Sequence, residues 1–171
     1  MQRLISIGDR VKKDLIVDFD EFDRNKILYD RTAIERVNPH RFEMSLLDGI
    51  LFEDHATKRY VGFCDAKPSE FWTRGHFPGR AIMPGVLICE VAAQLCSFVA
   101  ISSGFLRSKM IGLGGLDEVR FRAPVLPGDR LIMMMEELRS RPNILMQIRF
   151  QGLVGTEVVT DGLLKGVVLP D

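Results

Sequence analysis

Cysteine is scarce in this chain, and its spacing carries no motif. Cys64, Cys89 and Cys96 are the only three in 171 residues, an odd count without a CxxC pair, which argues for a reducing compartment and against a metal site. Two of them lie inside an apolar run, where they pack as small hydrophobes. Neither sign of charge is in excess: Lys+Arg and Asp+Glu both total 23. Bulk attraction to nucleic acid or to an anionic membrane is therefore excluded, and electrostatic recognition has to be local. The opening stretch MQRLISIGDRVKKDLIVDFDEFDRN holds no uninterrupted apolar segment followed by a small-residue cleavage site, so no secretory signal is legible and a cytoplasmic location is expected. A calcium loop is missing as well. Asp18 and Asp20 have the spacing of two ligands, but Phe22 stands where the third should be and there is no turn glycine, which leaves solvated charge.

What is present describes one globular domain: 46% hydrophobic and 27% charged residues, with no repeat, low-complexity tract or linker, enough to bury a sizeable core. Residues 1–31 show no periodicity and read as an N-terminal extension to a single domain over 32–171. The run TAIERV predicts a short helix with Thr32 as cap and Glu35 at the capping-box position, stopped by Asn38-Pro39. SLLDGILFED and KRYVGFCDA read as strands joined through DHATK. Beyond Gly104, MIGLGG, EVRFRAPV, DRLIMMMEELRS, ILMQIRFQGLVG and TEVVTDGLLKGVVL alternate with turn residues at the spacing of an antiparallel sheet. Between these two groups lies VLICEVAAQLCSFVAIS, apolar on nearly every side, with Pro84 suited to its first turn and Gly104 to its stop. Glu90 and Gln94 in its middle make it a poor membrane span and a better core helix. The fold class is α+β, one long helix against one sheet.

Glu90 demands an explanation, because a carboxylate on a helix apolar all round is costly to desolvate. Burial is expected to raise its pKa and keep it protonated, as a general acid requires. The plainer alternative is a pair with Gln94 one turn on, or with an arginine. His76 precedes the helix in GHFPG, where Gly75, Pro78 and Gly79 shape the backbone and leave room for a ligand. Its imidazole suits a base that removes a proton α to a thioester carbonyl, although a lone loop histidine is more often a bystander. The helix N-terminus at Gly85 and Val86 offers free N–H groups to a carbonyl oxygen becoming enolate-like. From Gly85 to Glu90 the helix rises about 7.5 Å, which sets the acid well away from the histidine loop and points to a site completed by a second subunit. Met133 to Met135, Phe121 and Phe150 read as strand core, with no role in a site.

GHFPGRAIMPGVLICEVAAQ closely resembles the active-site signature of the β-hydroxyacyl-[acyl-carrier-protein] dehydratases of type II fatty acid synthesis. The likeness continues in GGLDEVRFRAPVLPGD and, more weakly, in NPHRFEMSLLD, and spans roughly Ile34 to Leu169. It implies a hot-dog fold, a long central helix wrapped by a curved antiparallel sheet. It also implies a homodimer with two shared tunnels, each pairing the histidine of one subunit with the acid of the other, and leaves open whether dimers assemble into a trimer of dimers. Carried over residue by residue, His76 is the base, Glu90 the acid, Gly85 the carbonyl-binding amide, and the Ile82 carbonyl the group that orients His76; Val86 and Gly79 flank them. Glutamate at position 90 resembles the general dehydratase branch, whereas the isomerising branch carries aspartate. The implied partner is acyl carrier protein, whose phosphopantetheine arm carries the substrate, with no separate cofactor, metal, nucleic acid or membrane. Arg74, Arg80, Arg107, Lys109, Arg120 and Arg122 are candidates to ring the tunnel mouth, against the alternative of ordinary solvated surface. The chain departs from the family at Ala81, where proline is usual, in FEMSLLD after PHR, and in its longer N-terminus. Two other readings stay open: a hot-dog thioesterase, and a non-catalytic module that binds acyl chains or carrier protein.

Overall fold

A computed structural model describes residues 15–106 and 110–169. Arg107 and Lys109, both candidates for the tunnel mouth, lie outside the described residues. Strands β1 (Tyr29–Asp30), β2 (Gly49–Asp54), β3 (Arg59–Asp65), β4 (Ile111–Phe121), β5 (Arg130–Arg141), β6 (Leu145–Val154) and β7 (Glu157–Val168) form one sheet in the order β1-β2-β3-β5-β6-β7-β4, antiparallel at every pairing. Two helices join it: α1 (Arg31–Val37) and the long α2 (Gly85–Ser102). The segments MIGLGG and EVRF, expected separately, fuse into β4, which keeps its pairing with β7 by shifting register twice.

Helix α2 lies along the inner face of the sheet, the hot-dog arrangement. Ile88, Val91, Ala92, Leu95 and Phe98 pack on Tyr60, Cys64, Leu131, Met133, Ile148 and Phe150 in one buried cluster. This helix is long and apolar enough to cross a membrane, yet most of it is buried inside the protein, so its hydrophobicity is spent on the core. Gly62 allows the close approach: a Cβ there would come within 2.9 Å of Leu47 Cδ1 and 3.4 Å of Leu95 Cδ1. The three cysteines are free and buried, and desolvation pushes the thiols of Cys64 and Cys96 up to about 12, the state of inert core residues.

The run LIMMM on β5 is buried without alternation because both faces of the sheet are covered. Leu131, Met133 and Met135 face α2. Ile132 and Met134 turn the other way, into a second cluster with Leu51, Val61, Phe63 and Leu153. The cover on that outer face is the N-terminal segment. Ile16 and Val17 are 4% and 0% exposed, with Leu15, Phe19 and Phe22 packed alongside. The Ile16 N–H donates to Gln151 Oε1 at 2.9 Å, and Arg59 clasps both carboxylate oxygens of Glu21 at 2.8 and 2.7 Å. The described part of the extension is thus built into the fold. Val17→Asp places a carboxylate in this layer, at a cost of roughly 2–3 kcal/mol. Thermal denaturation should show a Tm lower by about 5–10 °C, and an unchanged Tm would contradict the buried outer face.

Helix α1 begins two residues earlier than a Thr32 cap would set it. Asp30 is its cap, accepting from the Ala33 N–H at 2.8 Å, and Asn38 ends it. Thr32 is therefore not the cap, and Glu35 accepts instead from Ser45 Oγ at 2.9 Å, because aspartate two positions upstream satisfies the free amide equally well.

Candidate active site

His76 sits in a loop anchored by buried Trp72, whose carbonyl accepts from the His76 N–H at 2.8 Å. A reciprocal pair of bonds between Phe77 and Arg80 closes the turn, and Gly79 takes the left-handed conformation it needs, φ 76°. The chain then returns so that Ile82 N–H donates to the His76 carbonyl at 2.8 Å, while the Ile82 carbonyl lies 2.8 Å from His76 Nδ1. A carbonyl only accepts, so Nδ1 carries the ring proton and Nε2 of the neutral imidazole keeps its lone pair. Phe77 stacks on the imidazole with centroids 4.0 Å apart.

His76 lines a cavity of about 520 Å³ together with Ile82, Gly85, Val86, Phe121 and Arg122, over a floor that includes Met83, Ile88 and Val125. Pro84 stands at the N-cap of α2 without a capping side chain, so the first N–H groups, those of Gly85 and Val86, have no intrahelical acceptor and open on the cavity wall. Phe121 departs from expectation. It is 52% exposed and walls the cavity, whereas Phe150 and Met133 to Met135 are fully buried as expected. Its ring lies over the helix start, where a Cβ added to Gly85 would meet it at 2.8–3.0 Å. Glycine at position 85 is what lets an aromatic wall and an open amide coexist, a relation between two distant residues that hydropathy does not reveal.

Glu90 does not line this cavity. Its side chain is 22% exposed, with Oε1 at 3.3 Å from His40 Nε2 and accepting from Gln94 Nε2 at 2.9 Å. Burial pushes the carboxyl up, as expected, but the hydrogen bonds from His40 and Gln94 outweigh it and hold the group below its ordinary value. The expectation that burial keeps Glu90 protonated is therefore corrected for the single chain: the helix that buries the carboxylate also brings it two N–H donors. His40 was not among the sequence candidates; the signal available was its place in NPHR, one of the segments carrying the family resemblance.

Gly79 lies at the turn tip, outside the cavity wall, with open space around its Cα. Arg74, Arg80 and Arg120 are exposed and do not line the cavity. Arg122 does, and its Nε pairs with Asp161 Oδ1 at 2.6 Å. Among the described residues no group of three His, Cys, Asp or Glu side chains is arranged to hold a metal ion. One chain thus brings the His76 ring, the start of α2 and an apolar cavity together, and holds the Glu90 carboxylate elsewhere.

Comparison with known proteins bears on the fold and the family. The FabA-like domain matches residues 38–162. The chain is 36% identical over 137 residues to the 3-hydroxyacyl-[acyl-carrier-protein] dehydratase FabZ of Hydrogenobaculum sp. (strain Y04AAS1), covering 79% of this chain and 91% of that protein. It is 36% identical to the FabZ of Moorella thermoacetica over 135 residues, 79% and 93% of the two chains. Among solved structures, the dehydratase heterocomplex ApeI:P from Xenorhabdus doucetiae superposes with a TM-score of 0.68 at 16% identity, over 81% of this chain and 91% of that one. A sigma28-regulated virulence protein from Campylobacter jejuni superposes with 0.57 at 15% identity, over 100% and 97%. These two structures establish the shared fold, and the domain match together with the FabZ relatives places the chain in the FabA-like family of 3-hydroxyacyl-[acyl-carrier-protein] dehydratases.

Proposed function

We propose that the protein dehydrates 3-hydroxyacyl-[acyl-carrier-protein] thioesters to trans-2-enoyl thioesters in fatty acid biosynthesis. The observation that carries this reading is the His76 tautomer: with Nδ1 committed to Ile82 O, Nε2 is free to take a proton from the carbon α to the thioester. The N–H groups of Gly85 and Val86 hold the thioester oxygen as charge develops on it. The proton that leaves with the β-hydroxyl comes from Glu90, held low in the single chain by His40 and Gln94 and protonated for this step when a second subunit and substrate close over the carboxyl and desolvate it further. Because Glu90 does not line the cavity of its own chain, the acid is supplied by a second subunit, and the working unit is a homodimer with two shared sites, free to assemble as a trimer of dimers. The substrate arrives on the phosphopantetheine arm of acyl carrier protein, an acidic partner received at the exposed Arg80, Arg120 and Arg122. No other cofactor enters the scheme. The enzyme is a soluble protein of the cytoplasm.

The test is the interconversion of a 3-hydroxyacyl thioester and its enoyl product, followed by ultraviolet absorbance over short and long acyl chains. Turnover without release of free thiol is expected. Thiol release would instead identify a thioesterase, and binding without either reaction a non-catalytic acyl-binding module.

A further inference from the structure

His40 lies in the segment between α1 and β2, and the chain on either side of it is tied down. Asn38 Nδ2 donates to the Gln94 carbonyl at 2.9 Å, and Arg41 donates to the carbonyls of Asn38, His40 and Glu35 at 2.6–2.7 Å. The ring is thereby presented to Glu90 with Nε2 at 3.3 Å from Oε1, while Nδ1 is enclosed without a partner among the described residues. Nothing on the Nδ1 side competes for the ring proton, so Nε2 carries it toward the carboxylate. Gln94, itself 1% exposed, donates from Nε2 to the same Oε1, and its own oxygen is fixed by the N–H groups of Leu46 and Leu47 at 3.0 and 3.1 Å. Two donors therefore converge on one oxygen of Glu90, and an oxygen that accepts two N–H bonds is not the one that carries a proton.

We propose that His40 is a positioning residue for dehydration: with Gln94 it holds Glu90 Oε1 as the unprotonated oxygen, so that Oε2 bears and delivers the proton. The inference rests on the dehydratase reading above. In the step, the Cα–H bond breaks and its proton goes to His76 Nε2. The electron pair forms the Cα–Cβ double bond and the Cβ–O bond breaks, the departing oxygen taking the proton from Glu90 Oε2 to leave as water. The carboxylate so formed places its charge where the His40 and Gln94 N–H groups already point, and these hydrogen bonds strengthen as the charge appears.

The experiment compares wild type, His40→Phe and His40→Gln in the absorbance assay. Phenylalanine keeps the ring volume and removes the donor, whereas glutamine restores an N–H near the Nε2 position. His40→Phe should lose roughly 10- to 100-fold in kcat with KM little changed, and His40→Gln should regain most of the loss. A His40→Phe enzyme with wild-type kcat, a defect confined to KM, or a glutamine variant as slow as the phenylalanine one would overturn the assignment. Nitrogen-15 NMR of histidine-labelled wild type gives a check independent of how the variants fold: His40 should carry its proton on Nε2, and a bare Nε2 also overturns it. Failure of the wild type to dehydrate any thioester would instead remove the dehydratase reading itself.

Discussion

His76→Ala and Glu90→Gln should each lower kcat by about 10²- to 10⁴-fold, the range that a positioned acid or base contributes, while leaving the fold intact. Alanine removes the Nε2 lone pair without touching the turn, which is closed by backbone bonds between Phe77 and Arg80 and from Trp72 O and Ile82 N to His76. Glutamine at position 90 keeps an oxygen for the Gln94 donor but has no proton to give. The decisive form of the experiment mixes the two inactive variants. If each site takes its histidine from one subunit and its acid from the other, half the dimers formed by random exchange are mixed and one of their two sites is intact. About a quarter of wild-type activity should then return. Absence of any recovery after subunit exchange, verified by mass, would place both groups in one chain and overturn the shared site. A Glu90→Gln enzyme with full activity would remove the acid altogether.

Gln94→Leu should produce the largest loss of stability of any single change near the site. Leucine has nearly the helix propensity and volume of glutamine, so the cost isolates the hydrogen bonds. Gln94 accepts from the N–H groups of Leu46 and Leu47 and donates to the Met44 carbonyl at 2.7 Å. Leu46 and Leu47 are 4% and 0% exposed, so water cannot replace the lost acceptor without opening the layer. At roughly 1–3 kcal/mol for each buried group left unpaired, the total is about 3–6 kcal/mol, or a Tm lower by about 10–20 °C. Differential scanning calorimetry settles this, and a fall of only a degree or two would mean that the 42–47 segment re-forms its bonds elsewhere.

Several features were legible in the residues because each is a local conflict or a local rule. An acid inside a helix that is apolar all round, and a histidine in a loop dense with Gly and Pro just before it, identify Glu90 and His76 as candidates before any coordinates. The same applies to β2 and β3, which alternate or run apolar between turn residues, and to the stop at Gly104, which adopts φ 72°. Less legible were quantities set by neighbours distant in sequence. Burial on α2 correctly predicts that Glu90 is pushed up, but the net direction is down, because His40 lies 50 residues away along the chain and hydrophobic patterning carries no trace of which side chain faces which. Phe121 has the composition of a core residue and becomes a cavity wall only because β4 ends beside the start of α2.

The amino-acid pattern was sufficient for the α+β class, one core helix and an antiparallel sheet, and it singled out His76, Glu90 and the start of the long helix as candidates close together in the chain. Periodicity, turn chemistry and the cost of burying charge act within a few residues and can be read along a line. The three-dimensional packing decided how those parts are used. It turned residues 15–22 into the second cover of the sheet, so that Met134 faces away from its neighbours Met133 and Met135 into a separate core. It aimed the lone pair of His76 by committing Nδ1 to Ile82, and it kept Glu90 off the wall of the cavity that His76 lines by giving it to His40 and Gln94. The physical reason is the same in each case: hydrogen bonds and desolvation depend on distances of about 3 Å, and only the folded chain brings residues 40, 90 and 94, or 16 and 151, within that reach.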